Sequence, residues 1–74
     1  MAFIIRKLEE NCVSEEQIKE IYDRALSRAS REPIGAVVIA SSERIEVHLV
    51  YNDGFGHFIF KLTKSSNYRI EYEH

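Results

Sequence analysis

Hydrophobic spacing divides the chain into one stretch of period three to four and several of period two. Ile18, Ile21, Tyr22, Ala25, Leu26 and Ala29 recur at three and four residues, with Lys19, Glu20, Asp23, Arg24 and Ser27 between them. This is the apolar stripe and polar face of an amphipathic helix. Ser14 and Gln17 make a capping box, and Val13 and Ile18 are spaced for a hydrophobic staple, so the helix is expected to start at Ser14. Glu15 and Glu16 in the first turn and Arg28 and Arg31 in the last suit the macrodipole. Pro33 biases Glu32 away from helical geometry and is expected to end the helix.

After the proline the period becomes two. Residues 34–40, IGAVVIA, form a continuous apolar run expected to be a buried strand, with either Val37 and Ile39 or Ala36, Val38 and Ala40 facing away from the helix. In RIEVHLVY, Ile45, Val47, Leu49 and Tyr51 alternate with Arg44, Glu46, His48 and Val50. HFIFKLT repeats the pattern with Phe58, Phe60 and Leu62 inward, and YRIEY with Tyr68, Ile70 and Tyr72 inward. The opening AFIIRKL is too short for periodicity to separate a strand from a short helix, and its β-formers Phe3, Ile4 and Ile5 favour a further strand.

The expected fold is α+β: a single domain over residues 1–74, with one helix packed on a curved antiparallel β-sheet in the order β-α-β-β-β-β. That element order is similar to the cystatin-like arrangement. The likeness is one of order alone, because the chain has no counterpart of the inhibitory Gln-x-Val-x-Gly stretch, so no residue or activity is carried over.

Between the third and fourth strands lies YNDGFGHF. Setting Leu49 opposite Phe58, Val47 opposite Phe60 and Ile45 opposite Leu62 leaves Asp53-Gly54 as a two-residue turn, a preferred type I′ sequence. This register places Glu46 opposite Lys61 and Val50 beside His57, and it sets His48 beside Ile59. In the last hairpin Lys61 can face Arg69 or Glu71, and charge favours Glu71.

Composition narrows the function classes. Hydrophobic residues are 45% and charged residues 30% of the chain, outside the signature of disorder, so the chain should fold. Lys and Arg number 10 against 12 Asp and Glu, and residues 1–37 hold 6 and 7 of these, leaving 4 and 5 for the rest. Neither half has the basic excess of a general polyanion binder. Cys12 has no partner for an intramolecular disulfide, and the apolar run after Met1 is too short for a signal-peptide core or a membrane span. A cytoplasmic location without membrane contact is expected.

Candidate chemistry is sparse. His48, His57, His74 and Cys12 lack the close spacing of a structural zinc site, and the expected register keeps His48 and His57 from facing each other. No metal or cofactor is expected. Cys12, just before the helix, stands where the helix dipole can lower a thiol pKa, yet no histidine is near it in sequence and no glycine-rich phosphate loop is present. The reading is of a protein that is not an enzyme and has no small-molecule substrate.

What asks for explanation is the outer sheet face, where Val50, His57 and Ile59 accompany Phe55 near the turn. An apolar strip with a polar rim is the pattern of a binding patch. The expectation is a protein–protein interaction module, acting as inhibitor or adaptor of a larger complex or as a homo-oligomer. Phe55, Val50, Ile59 and His57 are its anchors, and Lys61, Glu46 and Arg69 its rim. The alternative is nucleic-acid contact through Arg24, Arg28 and Arg31 on the helix.

Overall fold

The computed structural model describes residues 2–7, 13–63 and 67–74; Cys12 and most of the KSSN connection lie outside the described residues. The elements are β1 (Ala2–Lys7), α1 (Glu15–Arg28), β2 (Gly35–Ala40), β3 (Arg44–Tyr51), β4 (Gly54–Leu62) and β5 (Tyr68–Glu73). One helix and five strands make an α+β fold, and the strands form one sheet in the order β1-β2-β3-β4-β5.

The sheet is mixed, where a fully antiparallel one was expected. β1 runs parallel to β2, Ile4 pairing with Val37 and Ile5 with Val38, while the other three pairings are antiparallel. The reason is the connection: α1 carries the chain back along the sheet before β2 begins, and a crossover of that length returns it in the same direction.

α1 starts as its capping residues dictate. The Ser14 side-chain oxygen accepts from the Gln17 N–H at 3.1 Å, and Val13 and Ile18 are both buried in the core. Its end comes earlier than Pro33 alone requires. Ala29 caps it in an extended conformation, donating to the carbonyls of Ala25 and Leu26, so Arg31 falls beyond the last turn. Tertiary contacts take over the backbone there: Tyr51 donates its hydroxyl to the Arg31 carbonyl at 3.2 Å, and the Ile34 N–H donates to the Val50 carbonyl at 2.8 Å.

The core lies between the helix and one sheet face. Ile18, Ile21, Tyr22 and Ala25 meet Val38, Ile45, Val47, Leu49, Phe58 and Phe60 in one buried cluster. Ala36 and Ala40 on β2 are also buried, and their small side chains let the helix approach the strand closely. Among the described residues, no polar or charged residue lies wholly within this core.

Two registers differ from the sequence expectation. β3 and β4 pair Val47 with Phe58, Ile45 with Phe60 and Tyr51 with Gly54, so the two-residue turn is Asn52-Asp53. The shift is by two residues, which leaves every side chain on its expected face but changes all its neighbours. In the last pairing Lys61 faces Arg69, with Phe60 opposite Ile70 and Ile59 opposite Tyr72. Glu71 is the extra residue of a β-bulge, and past it the strand's faces exchange. Tyr72 therefore leaves the expected inward set and lies on the outer face, 45% exposed. Glu73 turns to the helix side and pairs with Arg28.

Candidate functional site on the open sheet face

The helix covers one face of the sheet, and the other face has no second layer among the described residues. Cross-strand pairing orders that outer face into rows. At the end nearest the Asn52-Asp53 turn, Val50 faces Phe55, which is 75% exposed. The next row runs Ile4, Val37, His48, His57, and it continues to His74, whose backbone exchanges two hydrogen bonds with His57 at 3.2 and 2.9 Å. Then come Arg6, Ile39, Glu46, Ile59 and Tyr72, and finally Arg44, Lys61 and Arg69.

All seven expected patch residues lie on this face, although not in the expected pairs. Val50 stands opposite Phe55 and not His57; Glu46 stands opposite Ile59 and not Lys61. Lys61 lies between Arg44 and Arg69, so three cations form one cross-strand row. Such like-charge opposition costs a few tenths of a kcal/mol at exposed positions. The set of Val37 and Ile39 is the one that faces away from the helix, each half-buried, and Ile4 on the edge strand is 57% exposed.

The largest departure concerns the histidines. His48 and His57, expected to miss each other, are direct partners. Because His57 spends its backbone hydrogen bonds on His74 of the other neighbour, its pairing with His48 is of the non-hydrogen-bonded kind, in which side chains come closest. Their rings stack with centroids 4.2 Å apart and planes 19° apart. Glu46 sits two residues from His48 on the same face, and its Oε1 accepts from His57 Nε2 at 3.2 Å. His48 Nε2 is 3.6 Å from the same oxygen, beyond hydrogen-bond reach, and is buried without a hydrogen-bond partner. Arg44 Nη2 lies 3.4 Å from Glu46 Oε2 and leaves Oε1 to the imidazoles. The edge of Tyr72 lies against His57, centroids 5.3 Å apart.

The three helix-side arginines are engaged within the fold. Arg24 donates to the Tyr68 carbonyl at 2.9 Å and its guanidinium lies 5.2 Å from the centroid of the Phe60 ring. Arg28 pairs with Glu73. Arg31 pairs with Asp53 and stacks on Tyr51 at 4.3 Å. The Arg31 hydrogen bond and charge hold the Asp53 carboxyl below the usual aspartate range, and the same bond raises the guanidinium. These partners neutralise most of the strip that the nucleic-acid reading relied on.

No protein-family model, no curated protein and no solved structure matches this chain. The residues of the open face are therefore weighed on their own chemistry. Sequence reasoning set His48 beside Ile59 on this face and left Val37 and Ile39 as one of two choices for β2, but it placed neither Tyr72 nor Ile4 in the patch. His48 and the β2 pair had a legible signal, since strand alternation puts Glu46 and His48 on one face and leaves two choices for β2. Tyr72 had none, because a bulge leaves no periodic mark in so short a strand.

Proposed function

We propose that this protein is a non-enzymatic protein–protein interaction module whose open sheet face packs against the same face of a second copy. The observation that carries the reading is a five-stranded sheet layered on one side, with Ile4, Val37, Ile39, Val50, Ile59, Phe55 and Tyr72 on the other. A contiguous apolar face with a charged rim is what an isologous interface needs, and two such sheets stack at about 10 Å.

Charge supports the same arrangement. A two-fold axis running across the strands between the histidine row and the Glu46 row sends the Arg44–Lys61–Arg69 row of each copy over the Val50–Phe55 row of the other. Like charges are then kept apart, and a cation meets an aromatic ring. Phe55, Val50, Ile59 and His57 are the anchors in this reading, and Lys61, Glu46 and Arg69 fix orientation.

Light scattering on a sizing column, run over a dilution series, tests it. The expected result is a dimer that dissociates on dilution, with Ile59→Glu monomeric throughout. A wild-type chain that stays monomeric at the highest concentration refutes self-association. Salt-sensitive binding to oligonucleotides that is lost in the Arg24→Glu, Arg28→Glu variant would transfer the function to the helix face.

A further inference from the structure

We infer that Glu46, His48 and His57 form a binding site for a divalent transition-metal ion of the zinc class. The inference rests on the geometry of these three side chains and is independent of self-association. Each offers one ligand atom, and these atoms lie within 4.8 Å of one another. Ligands on a tetrahedral zinc at about 2.0–2.1 Å are separated by about 3.3 Å. Glu46 Oε1 is 3.2 Å from His57 Nε2 and 3.6 Å from His48 Nε2, close to that separation, and the stacked imidazoles have to turn out of parallel to aim both Nε2 atoms at one ion.

His48 points to the same conclusion from its own side. Its Nε2 is buried and has no hydrogen-bond partner, a condition that costs free energy unless something satisfies the atom. Glu46 Oε1 is the polar atom it faces, and that oxygen already accepts from His57. A cation bound by all three satisfies His48 and the carboxylate at once.

The surroundings fit such a site. Arg44 on Glu46 Oε2 orients the carboxylate with Oε1 toward the rings, as outer partners of metal ligands commonly do. Ile39 and Ile59 flank Glu46 on the neighbouring strands, and Val37 flanks His48, which lowers the local dielectric. Two imidazoles and one carboxylate select zinc, cobalt, nickel or copper over magnesium and calcium. Three protein ligands leave a fourth position for water.

Calorimetry on chelator-stripped protein, titrated separately with zinc chloride and magnesium chloride, tests the site. One zinc per chain and no magnesium binding are expected. His48→Asn, His57→Asn and Glu46→Gln should each weaken zinc binding by at least about tenfold, since even outer partners of ligands are worth that much. Cys12→Ser and His74→Ala should leave it within about twofold. In the wild-type chain, zinc should shift the imidazole resonances of His48 and His57, a readout that survives if a variant fails to fold. Absence of saturable zinc binding overturns the inference. So does binding that persists in the His48→Asn, His57→Asn double variant, or zinc that moves neither imidazole.

Discussion

His48 and His57 stand opposite each other on β3 and β4 with their rings stacked 4.2 Å apart, and the turn at Asn52-Asp53 puts them there. A turn one residue later along the chain would set His57 against Val50 and break the cluster with Glu46. The two glycines of the hairpin bear on this choice. Gly54 follows the turn at φ 156°, and Gly56 faces Leu49 with the Tyr51 ring close by. A small residue at 56 leaves room for that ring, in the way an aromatic neighbour covers a strand glycine.

These glycines should respond oppositely to alanine. A Cβ on Gly56 would meet Tyr51 Cε2 at 3.5 Å and Leu49 Cβ and Phe58 Cε1 at 3.6 Å, ordinary van der Waals contact. Gly56→Ala is expected to leave stability unchanged or raise it by up to about 1 kcal/mol, through the unfolded chain's lost freedom. Gly54→Ala has open space around it but a backbone angle that side chains avoid, and should cost about 1 kcal/mol or more. Urea midpoints with equal slopes rank the two; the reverse order would contradict the Asn52-Asp53 turn.

Removing the helix cap should be felt by the whole domain. Ser14→Ala deletes the acceptor for the Gln17 N–H and should lower unfolding free energy by about 0.5–2 kcal/mol, with Ser14→Asp close to wild type. Thermal melts of the three proteins measure it. An unchanged midpoint for Ser14→Ala would mean that the Val13 and Ile18 burial alone fixes the helix start.

Acid and alkali should act at different places. The Asp53 carboxyl is held low by its hydrogen bond to Arg31 and then by the charge of that guanidinium. Its contribution to stability is therefore present above the ordinary aspartate range and is lost as the pH falls through the depressed value. At the other limb, burial first, then Asp23, Glu32 and Tyr51, raise the Tyr22 phenol. Its contribution is present below the ordinary tyrosine value near 10 and is lost as the pH rises through the raised one. Carboxyl-detected NMR titration should show Asp53 returning upward in Arg31→Ala, and Tyr22 absorbance should titrate later than that of an exposed tyrosine. An Asp53 titration identical in both proteins would remove the Arg31 contact as its cause.

Much of the fold was legible because its signals are local. The Ser14–Gln17 box, the stripe from Ile18 to Ala25 and the alternation in residues 44–51 each act within a few residues, and each appears in the structure as expected. The composition of the outer face was legible for the same reason: alternation assigns Glu46, Val50, Phe55, His57 and Ile59 to one side whatever they pair with.

Which of those residues touch was decided by the tertiary structure. Alternation has a period of two, so a register slipped by two residues satisfies the hydrophobic pattern equally well, and Asn52-Asp53 and Asp53-Gly54 are both acceptable turns. The choice between them turns His48 and His57 from diagonal neighbours into a stacked pair beside Glu46. Likewise the bulge at Glu71 brings Glu73 to Arg28 and Tyr72 to His57, contacts between residues far apart in sequence. The sequence by itself determined the elements, the faces of α1, β3 and β4, and the single helix layer. The packed fold determined the registers, the parallel β1 and the cluster on the open face, because those depend on contacts that no local spacing encodes.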